Sequence, residues 1–264
     1  MSDTGEEWQV ARRRKGAGRK SKTLQGPPKS TCKQLLAAGS SDLSKAPESA
    51  DSDGPTEKLE RSGDGRHCPQ LDCVCYGLGS FSSSVSSRYQ LAMLLLLLDA
   101  GQIPLKDCSV YDPAFTSGES NVLRELGMTV ITENEEGKRL ATKPTLFYVM
   151  HCGKALYNNL LWKNWNTQYL PLVLIIGNSF NGMKDRFVQE FKRDYGYITQ
   201  AVSVCEERHL PCPSQMIDVF SDTAVITFPS NSLSRLPQST WADPPEPQYQ
   251  HCPDLEIIQR ETQS

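Results

Sequence analysis

The chain of 264 residues lacks a long hydrophobic run and begins with polar and acidic residues. Its longest apolar stretch, from Leu91 to Leu98, is much shorter than the roughly 20 residues that a membrane-spanning helix needs. The polar start also lacks the apolar core of a secretory signal. We therefore expect no membrane partner and a cytoplasmic location.

A strong charge of either sign is missing too. The formal net charge is −3 at pH 7, so we expect no direct nucleic-acid binding by the folded domain. The nine cysteines are odd in number and lack paired Cys-x-x-Cys spacing, which disfavours both a disulfide framework and a zinc site. We predict free thiols in a reducing compartment and no bound metal.

Apolar residues are scarce at both ends of the chain. Residues 1–69 are rich in Ser, Gly, Lys, Asp and Glu, and residues 236–264 are rich in Pro and polar residues. Such segments cannot bury enough apolar surface to offset the entropy that ordering costs. We predict two disordered tails around one folded domain at residues 70–235.

A basic segment from Arg12 to Lys22 lies within the N-terminal tail. A cluster of this kind is typical of a nuclear-localisation signal, which an import receptor would recognise. It is equally typical of a solvated tail without a partner. The first interpretation adds the nucleus to the expected cytoplasmic location.

Short apolar runs alternate with helical segments in the central region. Strands are predicted at 71–76, 108–112, 128–132, 145–150 and 172–176, with helices at 87–99, 118–126, 154–162 and 184–191. Two later strands are predicted at 199–206 and 224–228, the second closing an edge of the sheet. This alternation predicts an α/β, Rossmann-like doubly wound fold with a mainly parallel sheet.

Polar residues cluster just after the predicted strands, where open α/β sheets bind ligands. The candidate ligand-binding residues are Gly77, Gly79, Ser80, Ser82, Asp112, His151, Asn178 and Ser179. The Gly77–Ser82 turn joins a strand to a helix, as a nucleotide-binding turn does, although Ser82 replaces the third glycine. The turn is either a site for a nucleotide-type ligand or a structural connection.

Three residues of this set have a specific chemical interpretation. Asp112 ends a strand, where a carboxylate either binds a ribose or caps a turn. His151 and Cys152 are the catalytic candidates, because a helix N-terminus favours a thiolate. Adjacent residues at a strand end point to opposite sides, however, so both residues can equally be structural, and His151 can contact a ligand without catalysis.

Four segments resemble the sensitivity-to-red-light-reduced family. They are Tyr76–Ser80, Tyr111–Pro113, the His151-Cys-Gly-Lys-Ala-Leu-Tyr-Asn-Asn-Leu-Leu161 block and Gly177–Phe180. The resemblance implies a regulatory role in circadian clock gene expression and, in animal members, in haem biosynthesis. It implies no particular reaction or cofactor. A haem link would make His151, Cys152 or the tail cysteines candidate iron ligands.

We therefore expect a regulatory protein that acts through ligand or partner binding. The alternative is an enzyme that uses S-adenosylmethionine or a dinucleotide in the crevice between Gly77 and Asp112. No acidic residue accompanies His151 after its strand, and the missing acid–base pair favours binding over catalysis. The protein partners and the ligand are left open by the sequence.

Overall fold

The computed structural model describes residues 71–184 and 193–249. The predicted N-terminal tail with its basic segment from Arg12 to Lys22 lies outside these residues, as does most of the helix predicted at 184–191. None of the helices in the described residues is long and apolar enough to span a membrane.

Seven strands and seven helices make up the described residues. The strands are β1 (Asp72–Tyr76), β2 (Cys108–Tyr111), β3 (Thr129–Val130), β4 (Thr145–Val149), β5 (Val173–Asn178), β6 (Glu206–His209) and β7 (Thr223–Thr227). The helices are α1 (Val85–Ala100), α2 (Ser117–Glu125), α3 (Lys154–Lys163), α4 (Phe180–Lys184), α5 (Gly196–Ala201), α6 (Ile217–Phe220) and α7 (Ser230–Leu233). Four short 3₁₀ turns lie at Leu105–Asp107, Leu170–Leu172, Ser214–Met216 and Gln238–Trp241.

The strands form one sheet in the order β3-β2-β1-β4-β5-β7-β6. Strands β1 to β5 run parallel to one another, and β7 is antiparallel to both β5 and β6. The order changes direction between β1 and β4, and a crevice forms at such a switch point beyond the carboxyl ends of the strands. The prediction of a Rossmann-like, mainly parallel α/β fold is confirmed.

Successive side chains of each central strand point to opposite faces of the sheet. A core cluster covers each face, so both faces are buried. Leu146 and Tyr148 of β4 face one core cluster, which includes Leu97 of α1. Phe147 of the same strand faces the other cluster, with Leu160 of α3. Continuous apolar strands are typical of a parallel sheet that helices cover on both sides.

The structure corrects two predicted strands near the end of the domain. The strand predicted at 199–206 is instead the end of α5 followed by the start of β6. Helix α5 forms because the buried Asn158 side chain accepts the backbone N–H groups of Tyr197 and Ile198, at 3.0 and 3.3 Å. Strand β7 does not close an edge of the sheet, because it lies between β5 and β6. Most side chains of β7 are buried, as an inner strand requires, and those of the edge strand β6 are mostly exposed.

Residues between 236 and 249, which follow the predicted domain 70–235, pack against that domain. Trp241 is buried and its ring lies 5.5 Å from that of Trp165. Tyr249 is buried as well, and its hydroxyl donates to Asn159 Oδ1 at 2.8 Å. Aromatic side chains spaced among prolines bury a large area with little regular secondary structure, and the composition of residues 236–249 does not reveal this packing.

Candidate functional site

A cavity of about 490 Å³ opens at the carboxyl ends of β1, β4 and β5. This volume is in the range of small-molecule sites. The lining residues come from the β1–α1 loop, α1, the ends of β4 and β5, and the α6–β7 region: Gly77, Leu78, Gly79, Ser86, Ser87, Gln90, His151, Asn178, Asp218, Ser221 and Asp222. Four predicted site residues therefore meet here, namely Gly77, Gly79, His151 and Asn178.

The β1–α1 loop needs glycine at two positions that line the cavity. Gly77 and Gly79 have φ values of +70° and +74°, a region that other residues rarely adopt. A Cβ atom at Gly77 would collide with the Sγ of Cys152, and one at Gly79 would lie 2.6 Å from the hydroxyl of Ser87. The loop can therefore pass close to its neighbours only with glycine at both positions.

Asp112 holds this loop in place from the end of β2. One carboxylate oxygen accepts the N–H of Gly79 at 2.7 Å, and the other accepts the N–H of Ala114 at 2.7 Å. Asp112 is not among the residues that line the cavity. The geometry assigns it a structural task, while its role toward a ribose stays a prediction.

Glu119 of α2 is a second carboxylate on the same loop, and the sequence analysis missed it. It is 3% exposed and accepts the N–H of Ser82 at 2.7 Å and the hydroxyl of Ser80 at 2.9 Å. Its other oxygen closes a capping box with Thr116. Burial opposes ionisation of Glu119, but these hydrogen bonds outweigh it and lower its pKa to about 2. The Thr-x-x-Glu pattern at the start of a helix was the available signal.

Two backbone donors of the loop are thus engaged by anionic side chains. In nucleotide-binding turns the N–H groups point at a phosphate. Here the N–H of Gly79 donates to Asp112 and that of Ser82 donates to Glu119. A phosphate at this loop would have to replace a carboxylate or lie beside one.

His151 and Cys152 contact the backbone on different sides. The Nε2 atom of His151 lies 2.6 Å from the carbonyl oxygen of Val219; because a carbonyl only accepts, Nε2 carries a proton. The Cys152 thiol lies 3.4 Å from the carbonyl oxygen of Tyr76 and does not line the cavity. Their catalytic roles stay predictions.

The two predicted site residues after β5 differ in their surroundings. Asn178 lines the cavity, and its backbone N–H donates to the Tyr157 hydroxyl at 2.8 Å. Ser179 is fully buried beside the cavity; its hydroxyl donates to Glu207 at 2.6 Å and accepts the N–H of Gly182 at 2.8 Å. Ser179 therefore positions the start of α4 rather than facing the cavity.

The residues at the cavity do not fit haem. The Nε2 atom of His151 already donates to a carbonyl group, and Asp218 and Asp222 line the cavity where haem propionates would meet repulsion. Within residues 71–184 and 193–249, no three His, Cys, Asp or Glu side chains are grouped so as to hold a metal ion.

Comparison with known proteins identifies the family. The SRR1 domain matches residues 56–227. An SRR1-like protein of Drosophila melanogaster is 31% identical over 244 residues, which cover 88% of this chain and 86% of the fly protein. An SRR1-like protein of Mus musculus is 53% identical over 132 residues, which cover 49% of this chain and 53% of the mouse protein. The chain belongs to the SRR1 family.

A plant protein and a solved structure are also similar to parts of this chain. The protein SENSITIVITY TO RED LIGHT REDUCED 1 of Arabidopsis thaliana is 40% identical over 111 residues, or 42% of this chain and 40% of the plant protein. The matched regions thus span about half of the mouse relative and less than half of the plant relative. The crystal structure of the 23S rRNA methyltransferase ErmE aligns with a TM-score of 0.38 and 11% identity, covering 61% of this chain and 62% of that one; this likeness is too low to support a function.

Proposed function

We propose that this member of the SRR1 family regulates circadian clock gene expression and haem biosynthesis by binding a small ligand or a partner in the cavity. A regulatory role is consistent with the plant relative, whose name refers to red-light sensitivity. The observation that carries the proposal is the position of the cavity at the switch point of the sheet, where doubly wound folds bind ligands.

The backbone around the cavity supports the same proposal. His151 and Asp222 both line it, and both have positive φ values, +52° and +63°, although neither is glycine. Such conformations store strain and occur preferentially at ligand clamps and active sites. Of the five non-glycine residues with positive φ in the described part of the chain, these two line the cavity.

An enzyme that uses S-adenosylmethionine or a dinucleotide is the second candidate. The observation in its favour is that His151 lines the cavity with Nε2 protonated, and its Nδ1 has no hydrogen bond to any described residue. A ring nitrogen that makes no other hydrogen bond is able to act as a general base. The partner of Nε2 is the carbonyl group of Val219 and not a carboxylate that would orient the ring for catalysis. We therefore rank binding above catalysis.

We further propose that the protein is present in both cytoplasm and nucleus and that an import receptor recognises Arg12–Lys22. Replacing Arg12, Arg13, Arg14 and Lys15 with Ala in a tagged chain should lower the nuclear fraction seen by microscopy. An unchanged distribution would assign the segment to a solvated tail.

The proposed binding function is tested by native mass spectrometry of the full chain purified from cells. The wild type should carry a small molecule, and Ser86→Tyr, which places a ring in the cavity from the first turn of α1, should not. Val85→Tyr is the matched control, since Val85 is 58% exposed on the same turn and does not line the cavity.

The same variants test the biological role. In cells that lack the native protein, Val85→Tyr should restore the period of a clock reporter and the haem level, and Ser86→Tyr should restore neither. The same added mass of bound ligand on all three purified proteins, or full rescue by Ser86→Tyr, would refute the cavity as the site of action.

A further inference from the structure

A proline-rich segment of the chain lies against the helices α3 and α5. Its sequence is Pro244-Pro-Glu-Pro-Gln-Tyr249, and we call it the strap. The strap has no regular secondary structure, and aromatic side chains of the two helices donate to its backbone. The indole N–H of Trp162 donates to the carbonyl group of Pro244 at 2.9 Å, and the hydroxyl of Tyr197 donates to that of Pro245 at 2.7 Å.

The tyrosine at the end of the strap is its anchor. Tyr249 is 8% exposed, and its ring lies 5.9 Å from the ring of Tyr195, which immediately precedes α5. Its hydroxyl also accepts the side-chain N–H of Asn158 on α3 at 3.1 Å. Tyr195 thus forms, with Trp162 and Tyr197, an aromatic surface that holds the strap, and we call these three residues the strap groove.

The contacts of the strap are those by which proteins recognise proline-rich peptides. Proline has no N–H, and a polyproline II segment makes no internal hydrogen bonds, so such a segment offers its carbonyl groups to a partner. Grooves lined by aromatic residues bind segments of this kind. Pro244 and Pro247 are partly buried, while Pro245 and Glu246 between them are exposed. This spacing of three matches the three residues per turn of polyproline II.

Few of these contacts depend on the rest of the chain. Both donors of the groove bond carbonyl groups, which any proline-rich segment supplies. One charged contact adds selectivity, because Glu246 pairs with Lys138 at 2.7 Å and thereby favours an acidic residue before the last proline. Among the described residues no strand or helix follows the strap, so its departure would leave the sheet intact.

We propose that the strap groove is a docking site for a proline-rich segment of a partner protein, with the pattern Pro-Pro-acidic-Pro-x-Tyr. The strap occupies this site within the chain until the partner replaces it. A tethered segment competes at an effective concentration in the millimolar range, so the strap sets the affinity that a partner must exceed. No residue of the groove lines the cavity, and the inference therefore does not rest on the proposed function.

The test is fluorescence anisotropy of a labelled peptide with the sequence of residues 242–250, titrated with the full chain. Tyr249→Ala removes the anchor of the chain's own strap. This variant should bind the peptide at least about tenfold more tightly than the wild type, whose groove is occupied. A peptide that itself carries the Tyr249→Ala change should bind at least about tenfold more weakly, because a buried tyrosine is a typical binding anchor.

A second substitution tests the groove itself. Tyr197→Phe, added to the Tyr249→Ala chain, keeps the ring and removes the hydroxyl that donates to Pro245. It should weaken peptide binding about fivefold, which corresponds to the loss of one neutral hydrogen bond. Tyr169→Phe is the matched control, since Tyr169 is partly buried outside the groove and its hydroxyl makes no hydrogen bond to a described residue.

Two further measurements make the result unambiguous. A thermal melt shows whether each variant is folded. If Tyr249→Ala does not unfold cooperatively, Tyr249→Phe replaces it, because it loses one hydroxyl only and should bind the peptide about fivefold more tightly than the wild type. Ser86→Tyr, which fills the cavity, should leave peptide binding unchanged, so failure of the proposed function and failure of this inference are distinguishable.

Three outcomes would overturn the inference. One is the lack of saturable binding to the folded Tyr249 variant at peptide concentrations up to about 1 mM, the range in which the tethered strap competes. The second is equal peptide affinity after Tyr197→Phe and Tyr169→Phe. The third is a dimer on size-exclusion chromatography that the peptide dissociates, which would assign the groove to the strap of a second copy of this chain.

Discussion

Two sets of buried polar residues stand on helices that follow neighbouring strands, and only one of them is satisfied. The first, the α3 network, consists of Tyr157, Asn158 and Asn159, all buried. The second, the α1 pair, consists of Ser87 and Gln90. The contrast matters because the free energy of burying a polar group depends on whether it has a partner.

Each residue of the α3 network has partners from distant parts of the chain. Asn158 accepts two N–H groups at the start of α5 and donates to the hydroxyl of Tyr249 at 3.1 Å. Asn159 donates to the carbonyl group of Glu136 at 2.8 Å. The Tyr157 hydroxyl donates to the carbonyl group of Val149. Within the segment of strongest family resemblance, His151–Leu161, these three residues therefore serve the fold.

The α1 pair lacks such partners among the described residues and borders the cavity instead. The comparison separates two roles that look alike in the sequence, where both sets are polar residues within a helix. The α3 network connects elements of the fold through its hydrogen bonds, whereas the α1 pair lines the cavity. The two sets should respond to substitution in opposite ways.

Loss of the Asn158 side chain is expected to have the largest effect. Asn158→Leu should lower the free energy of unfolding by about 2–4 kcal/mol, because two N–H groups of α5 and the Tyr249 hydroxyl lose a partner. Urea denaturation measures this change. Asn121→Leu, at an exposed position of α2, is the control and should stay within about 0.5 kcal/mol of the wild type.

Removal of the Glu119 charge should destabilise the loop beside the cavity. Glu119→Gln replaces a carboxylate oxygen, which accepts hydrogen bonds, by an amide N–H₂ group that faces other donors. It should lower the free energy of unfolding by about 1–3 kcal/mol at pH 7. The folded-state pKa is lowered from 4.5 to about 2, so the stabilisation by the carboxylate is fully present above pH 4.5 and is lost as the pH falls toward 2.

The free energies of unfolding of the wild type and of Glu119→Gln should therefore converge as the pH falls. Denaturation midpoints of wild type and Glu119→Gln at several pH values measure this convergence. Glu125→Gln, at an exposed position on the same helix, should follow the wild type at every pH. A Glu119→Gln difference that is constant from pH 7 to pH 3 would contradict the assigned hydrogen bonds.

Residues 236–249 should contribute less to the free energy of unfolding, through the α3 network, than Glu119 does. Tyr249→Phe removes only a hydroxyl, which is hydrogen-bonded to Asn158, Asn159 and the carbonyl group of Ala155. We expect it to lower the free energy of unfolding by about 1–2 kcal/mol. Tyr89→Phe is the control, since the Tyr89 hydroxyl has no hydrogen bond to a described residue. Equal stability of both variants would show that the segment packs without joining the network.

Ser87→Ala should have the smallest effect on the fold. It should change the free energy of unfolding by less than about 0.5 kcal/mol or raise it, because it removes a hydroxyl that has no hydrogen bond to a described residue. Ser84→Ala tests the same substitution at the N-cap of the same helix and should cost about 1 kcal/mol. A larger loss for Ser87→Ala than for Ser84→Ala would place Ser87 with the structural set.

The convergence of Gly77, Gly79, His151 and Asn178 was predictable, because parallel strands bring their carboxyl ends to one edge. Asp218, Ser221 and Asp222 were not predicted. They precede β7, which is antiparallel, so the beginning of that strand reaches the same edge. Ser87 and Gln90 were missed because they lie near the start of α1, where polar residues usually face solvent.

The sequence by itself determined the order of strands and helices in the parallel half of the sheet. Runs of apolar residues, their periodicity and the turns between them are local properties. Only the tertiary structure decided that residues 196–201 form a helix, that Trp241 and Tyr249 pack against the domain, and which buried polar groups have partners. Each depends on hydrogen bonds between residues far apart in sequence, such as Asn158 with Tyr197 and Asp112 with Gly79, and these pairings exist only once the chain has folded.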